Sequence, residues 1–187
     1  MSDIRETWKH WESCCDCGLG MTTLRRSIGV GNPQAQIVVV GDVPNFYYGT
    51  TGDCAPTPLG IFLNQILSII DLSLENVYFT TLVKCQPYEN RHPMKSELET
   101  CRNHLRQQLA VLNPKLVICL GRTVGQALMD KDLTMANSRG TFVQNNGLTM
   151  TTLYHPSALL RDPQLRPATF ADLKSIQSKL VELGIKV

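Results

Sequence analysis

The chain has 187 residues, of which 43% are hydrophobic and 18% are charged, and its formal net charge is +2. This length and composition predict a single globular domain over residues 1–187. No apolar run reaches the length of a membrane span, and the N-terminal stretch lacks the apolar segment of a signal peptide, so a cytoplasmic protein is expected. The small positive charge permits contact with nucleic acid without indicating it.

Four segments have the pattern of buried β-strands. Gln36 to Gly41, Val77 to Val83 and Lys115 to Gly121 are short runs rich in β-branched residues. Thr149 to Tyr154 is a weaker fourth candidate.

Helical patterns occupy the segments between and after these strands. Apolar residues follow a 3.6-residue period from Leu59 to Ile70 and from Leu98 to Leu112, where Pro114 ends the second helix. Gly121 to Met129 is a short helix and Ala168 to Leu183 a closing one. Strands that alternate with helices predict a three-layer α/β/α sandwich with a central four-stranded, mainly parallel sheet. The site is then expected at the carboxyl ends of the strands.

Seven cysteines are many for a cytosolic chain, and because disulfides are disfavoured in that compartment, metal or redox chemistry is the better interpretation. Cys14 and Cys17 form a C-x2-C pair, Cys85 follows a predicted strand, and Cys101 lies on a predicted helix. Thiolates suit an iron–sulfur cluster or zinc, although a structural zinc site usually has two C-x2-C pairs. Buried free thiols are the alternative, and Cys119 is expected in the core because it lies in mid-strand.

The strings around these cysteines resemble the family 4 uracil-DNA glycosylases. VYFTTLVKCQPYENRHPMKSELETC contains the family's K-C-[RQ]-P, N-R-x-P and E-x3-C motifs, PKLVICLG matches a family strand, and YHPSALLR matches H-P-[SA]-x-L-L-R. The resemblance covers about Cys14 to Asp172. It implies a uracil-DNA glycosylase-like fold, DNA as the partner, and a 4Fe–4S cluster held by Cys14, Cys17, Cys85 and Cys101, while Cys15 and Cys54 have no assigned role.

A glycosylase must stabilise the negative charge of the leaving base and must position or deprotonate water. The resemblance gives the first role to His155, which matches the family's catalytic histidine. It gives the second to Asp42, because GDVPN stands where the family has G-E-x-P-G and its glutamate is tied to the attacking water. The alternatives are that His155 is an ordinary loop residue and that Asp42 is an ordinary turn residue, each without a catalytic role.

The residues that follow His155 are expected to contact DNA. By the same resemblance, Ser157 to Arg161 form the loop that enters the minor groove. Leu159 or Leu160 is the wedge that fills the gap left by the extruded base, and Arg161 contacts a phosphate. An ordinary helix start with a buried leucine is the alternative.

Several positions depart from the family's pattern in the base pocket. Asn45 stands at a family glycine and Tyr48 at a second acidic residue. Ala55 replaces the phenylalanine that stacks on the flipped uracil, and stacking of this kind contributes about 1–3 kcal/mol. Thr81 replaces the asparagine that hydrogen-bonds the uracil edge, and a changed polar reader alters discrimination by large factors.

These departures predict an altered substrate. Ala55 and Thr81 are smaller than the family residues they replace and so enlarge the pocket, while Asn45, Tyr47 and Tyr48 add polar groups to it. A base larger than uracil is therefore expected. The chain thus resembles anti-phage glycosylases that remove glucosylated hydroxymethylcytosine and leave abasic sites. A repair glycosylase for uracil or another deaminated base, and a non-catalytic DNA-binding or assembly protein, are the alternatives. A monomer acting on a base flipped from duplex or single-stranded DNA is expected.

Overall fold

The structure is a computed structural model that describes residues 8–23, 25–48, 55–145 and 147–187, without the side chains of His10, Tyr48 and Asn90. The strands are β1 Val30–Gly31, β2 Ile37–Gly41, β3 Tyr47–Tyr48, β4 Ala55–Pro56, β5 Tyr78–Thr81, β6 Leu116–Leu120, β7 Val143–Asn145 and β8 Leu148–Leu153. The main sheet has six strands in the order β1-β5-β2-β6-β8-β7. A separate two-stranded sheet pairs β3 with β4.

Helices cover both faces of the main sheet. They are α1 Gly18–Thr22, α2 Pro58–Ser68, α3 Lys95–Leu112, α4 Arg122–Leu128, α5 Met135–Ser138, α6 Pro156–Arg161 and α7 Arg166–Glu182. Short 3-10 turns are formed by Lys9–Ser13, Tyr88–Asn90 and Pro163–Leu165. In the described ranges, none of these helices has the length and apolarity needed to cross a membrane.

The four predicted strands form the parallel centre of the sheet. β5, β2, β6 and β8 pair in parallel with their neighbours, which confirms the predicted α/β sandwich. The sheet is wider than the predicted four strands because β1 and β7 add antiparallel edges. These edge strands have only two and three residues, which is too short to give a periodic sequence signal.

The core has two layers because the central strands are buried on both faces. In β2, Ile37 and Val39 face one layer, with α2 and α7, whereas Val38 and Val40 face the other, with α3 and α4. All five residues of β2 and of β6 are buried. This explains their continuous apolar runs, since a parallel strand has no solvent-facing side.

Ile118, at the centre of β6, tests this packing. It is fully buried, so we expect Ile118→Ala to lower the free energy of unfolding by about 2–5 kcal/mol, through lost transfer energy and the cavity left behind. The matched control is Val181→Ala on α7, where the side chain is 78% exposed, and its effect is expected within about 0.5 kcal/mol. Urea denaturation measures both, and equal effects would contradict this placement of the core.

Candidate active site and cysteine centre

Asp42 and His155 meet at the carboxyl edge of the sheet. Asp42 follows β2 directly, and His155 follows β8 by two residues, with β6 lying between the two strands. The Oδ1 atom of Asp42 is 3.4 Å from Nε2 of His155. At the end of β6, Gly121 has φ +83°, and a Cβ there would lie 3.1 Å from the Cβ of His155. A glycine at this position therefore leaves room for the imidazole.

The start of α6 fixes the orientation of His155. The backbone amide of Ser157 donates to Nδ1 of His155 at 3.2 Å, and the Ser157 hydroxyl lies 2.7 Å from the same nitrogen. Because an amide can only donate, Nδ1 is an acceptor, and the neutral ring carries its proton on Nε2. That N–H faces Oδ1 of Asp42 across 3.4 Å, which is longer than an ordinary N–H···O hydrogen bond. It is therefore available to a substrate atom.

An aromatic ring supports the imidazole from the side. Phe46 is fully buried and meets His155 edge-on, with 5.3 Å between ring centroids. Phe46 also packs against Phe79 of β5 at 5.0 Å. Sequence reasoning gave Phe46 no role, although a large aromatic residue four positions after the candidate acid was the available signal.

The carboxyl group of Asp42 is held in its ionised form. Burial on its own would raise the pKa of Asp42, but the imidazole of His155 and the backbone amide of Val43 outweigh burial, so the pKa lies below its ordinary value. The Val43 N–H donates to Oδ1 at 2.8 Å. A carboxylate ionised at neutral pH can accept a proton from water. Its contribution to stability is present above the unfolded-state pKa and is lost as the pH falls through the lower folded-state pKa.

Thr81 lies at the end of β5, beside this pair, but its hydroxyl is already engaged. The side chain is 1% exposed, and Oγ1 donates to the carbonyl of Val83 at 2.7 Å. Asn45 is partly buried, and its Oδ1 is without a hydrogen-bond partner among the described residues. Ala55 is exposed and pairs with Tyr48 through the backbone in the small sheet. The side chain of Tyr48 and all of Cys54 lie outside the described residues.

The four residues expected to contact DNA lie on α6, where Leu160 and Arg161 are exposed and Ser157 and Leu159 are engaged within the protein. Leu159 is 2% exposed and belongs to the core, which leaves Leu160, 53% exposed, as the candidate wedge. Arg161 is exposed at the end of the same helix. Ser157 is bound to His155, so its hydroxyl serves the imidazole in the unbound protein.

The four predicted ligand cysteines converge on one place. Cys85 and Cys101 are buried, and Cys14 and Cys17 are partly buried. Burial, with smaller contributions from Cys101 and Cys17, raises the pKa of Cys85 to about 11. Burial also raises the pKa of Cys101, with smaller contributions from Cys17 and Cys14. Each of the four thiols thus lies close enough to at least one other to interact with it electrostatically.

Cationic and amide donors surround these thiols. Arg26 hydrogen-bonds Cys85, and its guanidinium donates to the carbonyls of Cys14 and Gly20, so it joins both cysteine segments. The backbone amide of Lys84 donates to Cys101. Burial lowers the pKa of the Lys84 amine to about 7, and that amine donates to three oxygens of Thr80, Thr81 and Gln108. Sequence reasoning gave Lys84 and Arg26 no role at this centre.

This donor set fits a 4Fe–4S cluster. Four thiols from three segments of the chain, none of them in a disulfide, with N–H donors to sulfur, are the arrangement that such clusters use. Cys14 also lies near His104 and Asp16, and their ligand atoms are all within 4.8 Å of one another. That mixed set suits a single zinc ion better, but it leaves Cys17, Cys85 and Cys101 unused. Cys15 is exposed and Cys119 is buried in β6.

Comparisons with known proteins identify a family and several relatives of this chain. The family model for the uracil DNA glycosylase superfamily matches residues 28–176. A type-4 uracil-DNA glycosylase of Archaeoglobus fulgidus is 34% identical over 184 residues, covering 94% of this chain and 92% of the relative. The type-4 enzyme of Thermotoga maritima is 29% identical over 177 residues, 92% of each chain. A type-5 uracil-DNA glycosylase of Pyrobaculum aerophilum is 31% identical over 146 residues, covering 69% of this chain and 64% of the relative.

Proposed function

The chain belongs to the uracil-DNA glycosylase superfamily and is a DNA glycosylase, and we propose that the base it excises is larger than uracil. The observation that carries this proposal is the engaged hydroxyl of Thr81. The Thr81 hydroxyl donates to the carbonyl of Val83, and the side chain is only 1% exposed. It therefore cannot hydrogen-bond the edge of a pyrimidine as the family's asparagine does. Ala55, small and exposed, offers no ring on which uracil could stack.

The proposed reaction uses Asp42 to activate water and the neighbouring His155 to stabilise the leaving base. Water forms a bond to C1′ of the deoxyribose as it loses a proton to the carboxylate of Asp42. The bond from C1′ to the base nitrogen breaks, and its electron pair leaves with the base. The Nε2–H of His155 donates to the base oxygen on which this negative charge develops. The product is an abasic site.

Four cysteines, Cys14, Cys17, Cys85 and Cys101, would hold the 4Fe–4S cluster. A bound cluster would supply a cross-link between the N-terminal segment, the end of β5 and α3. Because Lys84 lies between Thr81 and Cys85, this cross-link would also fix the strand end beside the base pocket. Leu160 and Arg161, on the helix that begins directly after His155, would contact the DNA.

Glucosylated hydroxymethylcytosine is the proposed base, and its presence in the DNA of some phages would make the activity an antiviral defence. The test is a single-turnover panel of duplexes that carry cytosine, uracil, hydroxymethylcytosine or glucosylated hydroxymethylcytosine at one position. Alkali-labile sites are expected with the glucosylated duplex and not with plain cytosine. Equal cutting of the uracil duplex would overturn the altered substrate. Binding to DNA without cutting of any duplex would favour a non-catalytic protein.

Ser157 provides a second test of the mechanism. We expect Ser157→Ala to lower the single-turnover rate about tenfold, because removing one donor to Nδ1 weakens the selection of the Nε2–H tautomer. Ser157→Thr retains the hydroxyl and is expected to recover most of the rate. DNA affinity is measured in parallel. If the loss appears in affinity and the rate at saturation is unchanged, Ser157 acts on DNA and not on His155.

A further inference from the structure

A cleft of about 600 Å³ opens beside the candidate base pocket. Its walls include Asn45, the segment Gln86–Glu89 that follows Cys85, and Arg25. A volume of this size falls within the range of small-molecule binding sites. Asp42 and His155, the residues with catalytic roles, do not line this cleft. Asn45 belongs both to the cleft wall and to the candidate base pocket.

Two hydrogen bonds and a ring contact connect the cleft wall to His155. Asn45 lies three residues after Asp42, and its carbonyl accepts from the Thr57 hydroxyl at 2.8 Å. The same hydroxyl donates to the carbonyl of Phe46 at 3.0 Å, and the ring of Phe46 rests against His155. The cleft wall and the aromatic support of the imidazole are thus joined through Thr57 and Phe46.

The cleft presents polar groups suited to hydroxyl ligands. The Oδ1 of Asn45 is a buried acceptor without a partner among the described residues. Gln86 adds an amide and Glu89 a carboxylate, while Tyr88 presents a side chain that is 73% exposed. Hydroxyl groups can both donate and accept, so a polyol can satisfy amide, carboxylate and guanidinium together. An exposed aromatic ring adds an apolar face to such a site.

The charges of the cleft argue for a neutral occupant. Arg25 and Glu89 line the same space with opposite charges, so a phosphate attracted by Arg25 would meet the carboxylate of Glu89.

Glu89 has φ +53° and ψ +24°, a left-handed backbone conformation that is unfavourable for a non-glycine residue and is often found at functional sites.

From these observations we infer that the cleft is a subsite for a neutral, polyhydroxylated substituent, of the size of a monosaccharide, carried by the excised base. This inference rests on the proposed function, because it assigns the extra volume of the base to a defined place. It gives Tyr88 and Asn45 the role of specificity residues. The catalytic step at Asp42 and His155 does not depend on Tyr88.

The test compares Tyr88→Ala with the unchanged protein on two duplexes that differ only in the glucose on one hydroxymethylcytosine. Excision is measured as kcat/KM, and binding is measured with 2′-fluoro versions of the same duplexes that resist cleavage. The unchanged protein is expected to bind the glucosylated duplex at least tenfold more tightly than the unglucosylated one. In Tyr88→Ala this preference is expected to fall to about twofold or less. Phe170→Ala, an aromatic truncation on α7 at a side chain 45% exposed, is the matched control and should keep the full preference.

The outcomes separate the subsite from the proposed function. If the unchanged protein excises the glucosylated base and Tyr88→Ala keeps the tenfold preference, the subsite is wrong and the function stands. If the protein prefers the glucosylated duplex in binding but excises nothing, the subsite stands and the function fails. A protein that binds both duplexes equally overturns the subsite, whatever it excises.

Discussion

His155→Ala is expected to lower the single-turnover excision rate by about 10²–10⁴-fold and to change the affinity for duplex DNA by less than about threefold. The reason is local. The Nε2–H is the donor aimed at the leaving base, and two groups of Ser157 hold the ring in this tautomer. The ring is largely enclosed, with a side-chain exposure of 14%, so water is a poor substitute for it.

The control for this prediction is His92→Ala, a second histidine that is exposed and outside the site. Its rate should equal that of the unchanged protein. Asp42→Asn keeps the shape of the side chain but removes the charge, and its rate should fall over the same range as that of His155→Ala. A rate for His155→Ala within threefold of the unchanged protein, with the fold intact, would contradict the assigned role.

Cys85→Ser is expected to abolish the visible absorbance of the iron–sulfur centre and to lower the free energy of unfolding by roughly 4 kcal/mol or more, as loss of a structural metal centre does. Cys85 is 3% exposed. It directly follows Lys84, whose amine donates hydrogen bonds to Thr80 and Thr81 of β5. Loss of the cluster there should loosen the end of β5. Iron analysis and thermal unfolding measure the two effects.

Cys15→Ser is the matched control for the cysteine centre. Cys15 is exposed, and its thiol contacts only the carbonyl of Ser13 among the contacts described. This variant should keep full iron content and the melting temperature of the unchanged protein. A colourless protein that contains zinc in place of iron would refute the cluster. Retention of iron by Cys85→Ser would remove Cys85 from the ligand set.

The parallel centre of the fold could be predicted because its signal is local. Residues of β2 and β6 are apolar in unbroken runs, and α2 and α3 repeat every 3.6 residues. The edge strands β1 and β7 are held by pairing with β5 and β8, which is a tertiary contact that two or three residues cannot encode alone. The small sheet of β3 and β4 has the same origin.

The candidate site was predictable in its residue types but not in its hydrogen bonds. Asp42 and His155 could be expected near each other, because both follow parallel strands. The sequence could not reveal that Thr81 turns its hydroxyl back to Val83, or that Ser157 binds His155. Both depend on backbone direction after a strand or at a helix start. The contact of Phe46 with the imidazole likewise depends on how the loop after β2 folds.

The central claim is that this glycosylase excises a large, modified base at Asp42 and His155, and identification of the released base tests it most directly. Phage DNA that carries glucosylated hydroxymethylcytosine, mixed with an equal amount of uracil-containing DNA, is incubated with the purified protein and with His155→Ala. Mass spectrometry then identifies the free bases. The account predicts free glucosylated hydroxymethylcytosine from the unchanged protein, little free uracil, and neither base from the variant. Uracil released at the same rate, or as the sole product, would contradict it.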